Sequence, residues 1–296
     1  MADVSNASAG ALSWWPAPAK LNLFLHVVGR AADGYHDLQT LFQIIDLTDL
    51  IGIGLRSDGA ILRPSGLADV APDQDLTVRA ALLLQRHTGT RQGADLHVIK
   101  HIPAGGGLGG GSSDAATVLL ALDRVWRLNL GVDALSELGL RLGADVPLFV
   151  RGRSAWAEGR GERLTPMSLP PRWFLVIHPG VSVGTAGIFQ APELTRNSPV
   201  ITIRAAALDQ TRNDCEPVVR ARYPAVGAAI DWLNAQMRSQ GAPAGARLTG
   251  TGACIFASFE REQDARRIAQ QVPASWSSFV ARGLERSPLH LQLDAG

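Results

Sequence analysis

Residues 103–116 read Pro-Ala-Gly-Gly-Gly-Leu-Gly-Gly-Gly-Ser-Ser-Asp-Ala-Ala, with six glycines in seven consecutive positions. Residues 95–102, just before this stretch, largely alternate polar and apolar side chains as a strand does. After it, apolar residues recur at the spacing of a helix. The stretch therefore predicts a strand that passes through a glycine loop into a helix, with Ser112 or Ser113 as the residue that caps the helix start.

The glycine loop has the properties of a phosphate-binding site. The start of a helix exposes unpaired backbone N–H groups and the positive end of the helix dipole. Because glycine has no side chain, a polyanion can approach those N–H groups closely, and many proteins hold phosphates in this way. We therefore predict a nucleotide-phosphate site formed by Pro103, Ala104, Gly105, Gly106, Gly107, Leu108, Gly109, Gly110, Gly111, Ser112 and Ser113.

Three other interpretations of the loop agree less well with the sequence. Gly105, Gly107 and Gly110 form a G-x-G-x-x-G pattern, which on its own is a weak indication of a dinucleotide-binding fold. Such folds usually carry the pattern in their first strand–helix unit, whereas about a hundred residues precede it in this chain. The loop is not a Walker A loop, because no lysine follows its last glycine. A flexible surface turn is disfavoured, since glycine is entropically costly and six at a helix start require a reason.

Composition limits the class of protein. A chain of 296 residues that is 46% hydrophobic suits one large domain or two smaller domains that share a cleft. A net charge of +1 argues against a nucleic-acid or membrane-surface partner. No apolar run approaches the ~20 residues of a membrane span. The two cysteines, Cys215 and Cys254, form no framework and indicate a reduced, cytoplasmic protein, and residues 1–13 are predicted to be a disordered extension.

Lysine is rare in this chain. Of 28 basic residues only Lys20 and Lys100 are lysines. The segment after Lys20 alternates strongly, which predicts a strand that places Lys20 and Asn22 on one face, about 7 Å apart. A compact ammonium can neutralise charge beside a reacting phosphate, whereas a guanidinium is bulkier and prefers bidentate partners. Lys20 is therefore a candidate catalytic cation; the alternative is a strand lysine that extends into solvent.

The rest of the chain mixes helices and strands. Residues 144–150 are predicted to form a short turn into a strand, and Asp133 to cap a helix. The proline-rich segment 166–172 is a candidate boundary between domains of residues 14–165 and 166–296. Further strands are predicted at 40–46, 50–55, 94–102, 173–177 and 277–282, and helices at 76–87, 226–237 and 262–271.

Three separated segments together resemble the GHMP small-molecule kinase superfamily. They are the strand with Lys20, the loop 103–113 and the turn Gly250-Thr-Gly-Ala-Cys254. Within the superfamily, Ala32-Asp-Gly-Tyr-His36, Gly143-Ala-Asp-Val-Pro147 and Asn213-Asp-Cys-Glu-Pro217 are similar to a branch whose acceptor is a cytidine-diphosphate sugar alcohol. These motifs run in order from Pro16 to Phe256.

The resemblance implies a two-domain α+β fold. It has an N-terminal ATP-binding domain related to domain 2 of ribosomal protein S5 and a C-terminal ferredoxin-like α/β sandwich. The active site lies in the cleft between them. The implied reaction is phosphorylation by ATP of an acceptor hydroxyl, assisted by Mg²⁺ that ATP carries and that touches Ser113; no other metal site is predicted.

The resemblance also implies roles for individual residues. Lys20 and Asp145 are the predicted catalytic pair, with Asp145 as general base. On local sequence alone, an aspartate before Val146-Pro147 is more typical of a helix N-cap or turn. Ordinary core packing is the alternative for Phe189, whose ring would otherwise stack on the pyrimidine opposite Tyr35. The predicted substrate-binding residues are Asn22, Tyr35, His36, Thr185 and Phe189.

Three alternatives stay open at this point. The first is a kinase of the same superfamily that acts on another sugar or amino alcohol, and the second is a dinucleotide-binding oxidoreductase. The third is an inactive nucleotide-binding module, which is disfavoured because both Lys20 and Asp145 are present. The predicted partner is a small-molecule substrate, with no nucleic acid and no membrane, and the predicted assembly is a monomer or weak homodimer.

Overall fold

The computed structural model describes residues 12–30, 34–65, 71, 73–202, 210–239 and 245–295. The predicted N-terminal extension falls almost entirely outside the described residues, as do residues 32 and 33 of the Ala32–His36 motif. The strands are β1 (Ser13–Arg30), β2 (His36–Arg56), β3 (Ile61–Ser65), β4 (Gly93–Ile99), β5 (Ala155–Gly159), β6 (Arg163–Pro166), β7 (Trp173–His178), β8 (Arg247–Leu248), β9 (Ile255–Phe259) and β10 (Ser277–Leu284). The helices are α1 (Leu76–Thr88), α2 (Gly110–Val125), α3 (Gly131–Leu140), α4 (Val146–Arg151), α5 (Thr185–Phe189), α6 (Glu216–Arg222), α7 (Pro224–Ser239), α8 (Glu262–Ala269) and α9 (Pro288–Ala295).

Strand β2 is the centre of the N-terminal half, which comprises β1–β6 and α1–α4. It pairs antiparallel with β1, β4 and β5, while β3 runs parallel to β4 at the edge. The sequence predicted two strands here, at 40–46 and 50–55, but β2 is continuous over 21 residues. Thr48 and Asp49 pair with Pro18 and Ala17, and the pairing then steps to Ala19 and Ile45, so Asp46 and Leu47 form a bulge in β2.

The C-terminal half, from β7 onward, has the predicted ferredoxin-like arrangement. Its strands lie in the order β10-β7-β9-β8, which is 4-1-3-2 along the chain, with α7 and α8 in the two crossover connections. The two halves share one sheet, since Gly283 and Leu284 of β10 pair with Ile45 and Ile44 of β2.

Three clusters of buried apolar residues hold these layers together. One lies between the N-terminal sheet and α1, α2 and α4, and a second lies under the C-terminal sheet. The third joins the halves, because it contains Phe24 and Leu108 from one and Phe174 and Phe256 from the other. Each fully buried side chain of this size contributes roughly 1.5–3 kcal/mol through burial, so the region between the halves is a packed core.

Some predicted elements were wrong. The turn predicted at the start of residues 144–150 is present, but the residues after it form a helix rather than a strand: α4 begins after Asp145, has Pro147 in its first turn and is followed by Gly152 in a left-handed conformation. A short apolar run does not distinguish a strand from a buried helix. Asp133 lies in the first turn of α3, whose cap is Leu130. No helix among the described residues has the length and apolarity needed to span a membrane.

Candidate active site

The glycine loop enters α2 through backbone conformations that favour glycine. Gly105, Gly107 and Gly109 have φ of 64°, 74° and 73°, and Gly109 is the residue at the N-cap. The prediction that Ser112 or Ser113 caps the helix was therefore wrong, because the helix begins earlier, at Gly110. Both serines lie in its first turn.

The turn Gly250–Cys254, the second glycine turn, supports this loop from the C-terminal half. The backbone N–H groups of Ala253 and Cys254 donate to the carbonyls of Gly105 and Gly106, at 3.1 and 3.0 Å. A Cβ on Gly107 would lie 2.2 Å from the carbonyl oxygen of Thr249, so no other residue fits there without a shift of the backbone. Contacts within the C-terminal half fix this turn, because the Asn213 amide donates to the carbonyls of Leu248 and Gly250, at 2.9 and 2.8 Å.

Cys254 packs at this junction as a small buried side chain, as predicted. Its exposed fraction is 0%, and burial raises the pKa of its thiol above the ordinary value. A thiol that stays protonated is a poor nucleophile, which agrees with a packing role.

Lys20 lies where the loop meets β1. Its Nζ donates to Oδ1 of Asn22 at 2.6 Å and to the carbonyl of Gly107 at 2.9 Å. Oδ2 of Asp145 is 3.4 Å from the same Nζ, and Lys20 is 3% exposed. The Asn22 amide is oriented by its donation to Oγ1 of Thr40 at 2.9 Å. A buried ammonium is thus held between a loop carbonyl and a carboxylate on the cleft wall.

Asp145 occupies the N-cap position of α4, but its side chain accepts no capping hydrogen bond. Its carboxylate instead faces Lys20 and lines the cleft. The local alternative, an aspartate whose side chain caps a helix, does not describe this arrangement.

The end of α5 and the start of β2 bring aromatic residues together. Thr185 and Phe189 are the first and last residues of α5, and both line the cleft. Phe189 also packs against the C-terminal core, so packing and cleft exposure coexist. Its ring stacks with that of His36, with centroids 5.3 Å apart. Tyr35, the predicted partner of Phe189, instead lies under the guanidinium of Arg160, 3.7 Å from its ring centroid.

Sequence reasoning assigned no function to the buried charges beneath the loop. Lys100 contacts Asp49 and Asp114, the latter at 2.7 Å. Asp49 also accepts the backbone N–H groups of His101 and Ile102, at 2.6 and 2.8 Å, where the chain enters the loop. Burial raises the pKa of Asp114 to about 7, against the opposing charge of Lys100. The rarity of lysine was the signal that pointed to Lys100.

One cleft of about 590 Å³ brings much of the site together, whereas Tyr35, His36 and Asp49 lie outside its lining. The glycine loop, Lys100 and Asp114 line the cleft, and so do Arg160, Thr185 and Phe189. Lys20, Asn22 and Asp145 also line the cleft. Gly250 and Thr251 of the second glycine turn complete its wall. The geometry matches a site in which a phosphate donor and an acceptor meet.

Comparison with known proteins identifies the family. The profile of the GHMP kinases N terminal domain matches residues 75–153, and that of the GHMP kinases C terminal domain matches residues 192–278. The chain belongs to the GHMP kinase family.

Similar GHMP kinases carry a more specific name. The chain is 58% identical over 281 residues to the 4-diphosphocytidyl-2-C-methyl-D-erythritol kinase of Alkalilimnicola ehrlichii, covering 94% of each chain. It is 55% identical to the protein of the same name from Halorhodospira halophila, covering 95% of this chain and 96% of that one. A crystal structure of 4-(cytidine 5'-diphospho)-2C-methyl-D-erythritol kinase is 35% identical, with a TM-score of 0.78 over 92% of this chain and 100% of the other.

A more distant structure shares the GHMP kinase fold alone. Homoserine kinase from Cytophaga hutchinsonii superposes with a TM-score of 0.66 at 17% identity, covering 96% of this chain and 98% of the other. The predicted fold class and family are confirmed, and the oxidoreductase alternative is excluded. This GHMP kinase is a small-molecule phosphotransferase, and ATP is its phosphoryl donor.

Proposed function

We propose that this GHMP kinase transfers the γ-phosphoryl group of ATP to the 2-hydroxyl of 4-diphosphocytidyl-2-C-methyl-D-erythritol, a step of the non-mevalonate isoprenoid pathway. The similarity to kinases of that name supports the substrate. The contact of 3.4 Å between Lys20 and Asp145, beside the carbonyl of Gly107, is the observation that carries the chemistry. Both side chains line the same cleft as the glycine loop and Phe189.

Each step of the transfer has a candidate group in the cleft. The backbone N–H groups at the start of α2 bind the phosphates of ATP. Asp145 takes the proton of the acceptor hydroxyl as that oxygen forms its bond to the γ-phosphorus and the bond between the β- and γ-phosphates breaks, releasing ADP. Lys20 neutralises charge on the transferring group. Because phosphoryl transfer depends mainly on positioning and charge stabilisation, these two residues and the loop suffice on the protein side.

Mg²⁺ fits this cleft as an ion carried by ATP. The described residues contain no cluster of three His, Cys, Asp or Glu side chains that would cage a metal. Mg²⁺ typically binds phosphate oxygens, waters and one or two protein oxygens, and it would neutralise charge on the β- and γ-phosphates. Ser112 lines the cleft, whereas the Ser113 hydroxyl is buried and has no partner among the described residues. We therefore propose Ser112, rather than the predicted Ser113, as the hydroxyl that touches the ion.

The ring-lined end of the cleft suits the cytidine of the acceptor. Phe189 offers a face for stacking, which is worth roughly 1–3 kcal/mol per base. The ring of His36 stacks on that of Phe189, and Thr185 and Asn22 line the cleft and offer polar groups to the acceptor. The other predicted ring, Tyr35, contacts Arg160. The cytoplasmic location, the monomeric or weakly dimeric state and the division into domains at residues 166–172 stay predictions.

An ADP-release assay over a panel of acceptors tests the proposed function. The panel contains the cytidyl acceptor, homoserine, mevalonate and galactose, each with saturating ATP and Mg²⁺. We expect turnover with the cytidyl acceptor alone. Turnover confined to one of the other three would overturn the substrate assignment and leave only the family.

A further inference from the structure

Arg196, in the segment that follows α5, binds the carbonyl groups at the end of that helix. Its Nη2 donates to the carbonyl oxygens of Phe189 and Ala191, at 3.0 and 2.6 Å, and its Nη1 donates to that of Leu194 at 3.1 Å. The last carbonyls of a helix lack partners within it, and a cation there is favourable. Arg196 thereby fixes the position of Phe189 at the wall of the cleft.

The same guanidinium reaches into the other half of the molecule. Its Nε donates to Nε2 of His36, the first residue of β2, at 3.0 Å. Arginine nitrogens only donate, so Nε2 of His36 must accept, and the proton of the neutral ring must then be on Nδ1. One side chain thus sets the tautomer of His36 and the place of the ring stacked on it.

The charges around His36 agree with a neutral ring. Burial lowers the pKa of His36, and the positive charges of Arg196 and of Arg30 at the end of β1 lower it further. A protonated His36 would direct a second N–H group at the Arg196 donor, which would break the contact.

We propose that Arg196 is a positioning residue for acceptor recognition. It holds His36 as the neutral tautomer with the proton on Nδ1, and it holds Phe189 against that ring. The ring of Phe189 then stacks on the pyrimidine of the substrate, and the Nδ1–H group of His36 donates to it. The ring nitrogen and the carbonyl oxygen of that pyrimidine can both accept such a hydrogen bond. This inference rests on the proposed cytidyl acceptor, and it adds a residue that touches neither the substrate nor the reacting atoms.

The chain offers a matched control in Arg222. This arginine of α6 donates to the carbonyl of Gly187 in α5 at 3.2 Å and pairs with Glu193 at 2.9 Å. It therefore supports the same helix through the same kind of contact, but its partners are Gly187 and Glu193 rather than His36. A role in holding α5 alone would make Arg196→Gln and Arg222→Gln similar.

Steady-state kinetics distinguish a role of Arg196 in acceptor recognition from a role in holding α5 alone. In Arg196→Gln we expect the KM of the cytidyl acceptor to rise at least about tenfold, a loss of about 1.4 kcal/mol. The KM of ATP and kcat should stay within about twofold, because the loop and Lys20 are untouched. Arg222→Gln should behave as wild type. Equal increases in both KM values, or the same acceptor defect in Arg222→Gln, would overturn the proposal.

Nuclear magnetic resonance of protein labelled with ¹⁵N-histidine reports the tautomer of His36 in the absence of any ligand. Wild-type His36 should be neutral at pH 7.5 with its proton on Nδ1, and in Arg196→Gln its pKa should move up towards the ordinary value. A proton on Nε2 in the wild type would exclude the role of Arg196. Failure of the proposed function is distinguishable, since it would appear as absent turnover of the cytidyl acceptor by wild type, while the tautomer would still report on Arg196.

Discussion

At the scale of the residue, Lys20 and Asp145 have the clearest assignment. Their side chains are 3.4 Å apart, and Nζ of Lys20 lies over the ring of Phe42, 5.3 Å from its centroid. Lys20→Met keeps a long unbranched side chain and removes the charge, and Asp145→Asn removes the base with little change of shape.

We expect each variant to lower kcat by at least roughly 100-fold, the usual range for loss of a proton acceptor or of charge stabilisation. Affinity for ATP, measured calorimetrically, should change little because the loop amides remain. Asp133→Asn is the control, since that carboxylate is exposed on α3. Turnover near the wild-type level in either test variant would remove its residue from the mechanism.

A second residue-scale prediction concerns Asp114. One lysine charge, on Lys100, faces two buried carboxylates, so the protonated form of Asp114 is favoured in the folded protein. Burial raises the pKa of Asp114 in the folded protein to about 7, above the ordinary value of 3.8. The stability from Asp114 is therefore complete below about pH 4 and is lost as the pH rises through 7.

Asp114→Asn resembles the protonated carboxyl and should lack this loss. We expect its free energy of unfolding, relative to wild type, to increase by about 2–3 kcal/mol between pH 5 and pH 8. Urea denaturation at the two pH values measures the difference. Parallel pH dependences in the two proteins would show that Asp114 is already ionised at pH 5.

Residues close in sequence were predictable, and those brought together by the fold were not. Lys20 and Asn22 are two apart on a strand, so the alternation placed them on one face, and their side chains do touch. Arg196 and His36 are 160 positions apart, and only the packing of α5 on the start of β2 brings them together. No local pattern marks an arginine that acts through another residue.

At the scale of the element, the close approach of two glycine turns shapes the loop. Gly107 has a φ of 74° and lies against the carbonyl of Thr249, so a side chain there meets both backbone strain and a collision. Gly131 is a control that has the backbone strain without the collision, because its φ is 80° and a Cβ there would meet no atom within 4 Å.

We expect Gly107→Ala to raise the KM of ATP at least about tenfold, since the loop must move away from the second turn. Gly131→Ala should cost about 1 kcal/mol of stability and leave the KM of ATP unchanged. Both are measured by the ADP-release assay together with thermal unfolding. A normal KM in a folded Gly107→Ala would mean that the loop does not depend on this contact.

Elements with long periodic patterns were predicted correctly, and short ones were not. The helix at 76–87 and the strand at 94–102 correspond to α1 and β4. Helix α4 has six residues and α5 has five, too few for a helical repeat to be distinguished from a strand or turn. Asp145 is the N-cap residue of α4 and Phe189 is the last residue of α5, so the roles predicted for both residues depended on the resemblance.

At the scale of the whole molecule, the two halves are joined by covalent and packing links. Leu289 of α9, close to the end of the chain, belongs to the N-terminal core, and Gln292 donates to the carbonyl of Trp14 at 2.8 Å. At the shared sheet, the buried Gln43 amide donates to the carbonyls of Ile44 and Leu284, both at 2.9 Å. Separate unfolding of one half would expose all these contacts.

We therefore expect a single unfolding transition in urea, with tryptophan fluorescence and far-ultraviolet circular dichroism coinciding. Gln43→Ala should lower the free energy of unfolding by roughly 1–3 kcal/mol, because it leaves buried carbonyls unpaired, and should keep one transition. The exposed Gln271→Ala is the control. Two resolved transitions in wild type would show that the halves unfold independently.

The continuity of β2 has a consequence for which acceptors fit. One strand carries His36 at the base end, Thr40 behind Asn22, and Asp49 beneath the glycine loop. Its length is fixed at about 3.3 Å per residue, so no hinge between the halves alters the separation of these points. A short acceptor that reaches the rings would leave Lys20 without a hydroxyl, and a long one would present the wrong hydroxyl to Asp145. We therefore expect β2 to select acceptors by length, in addition to the chemistry of the residues along it.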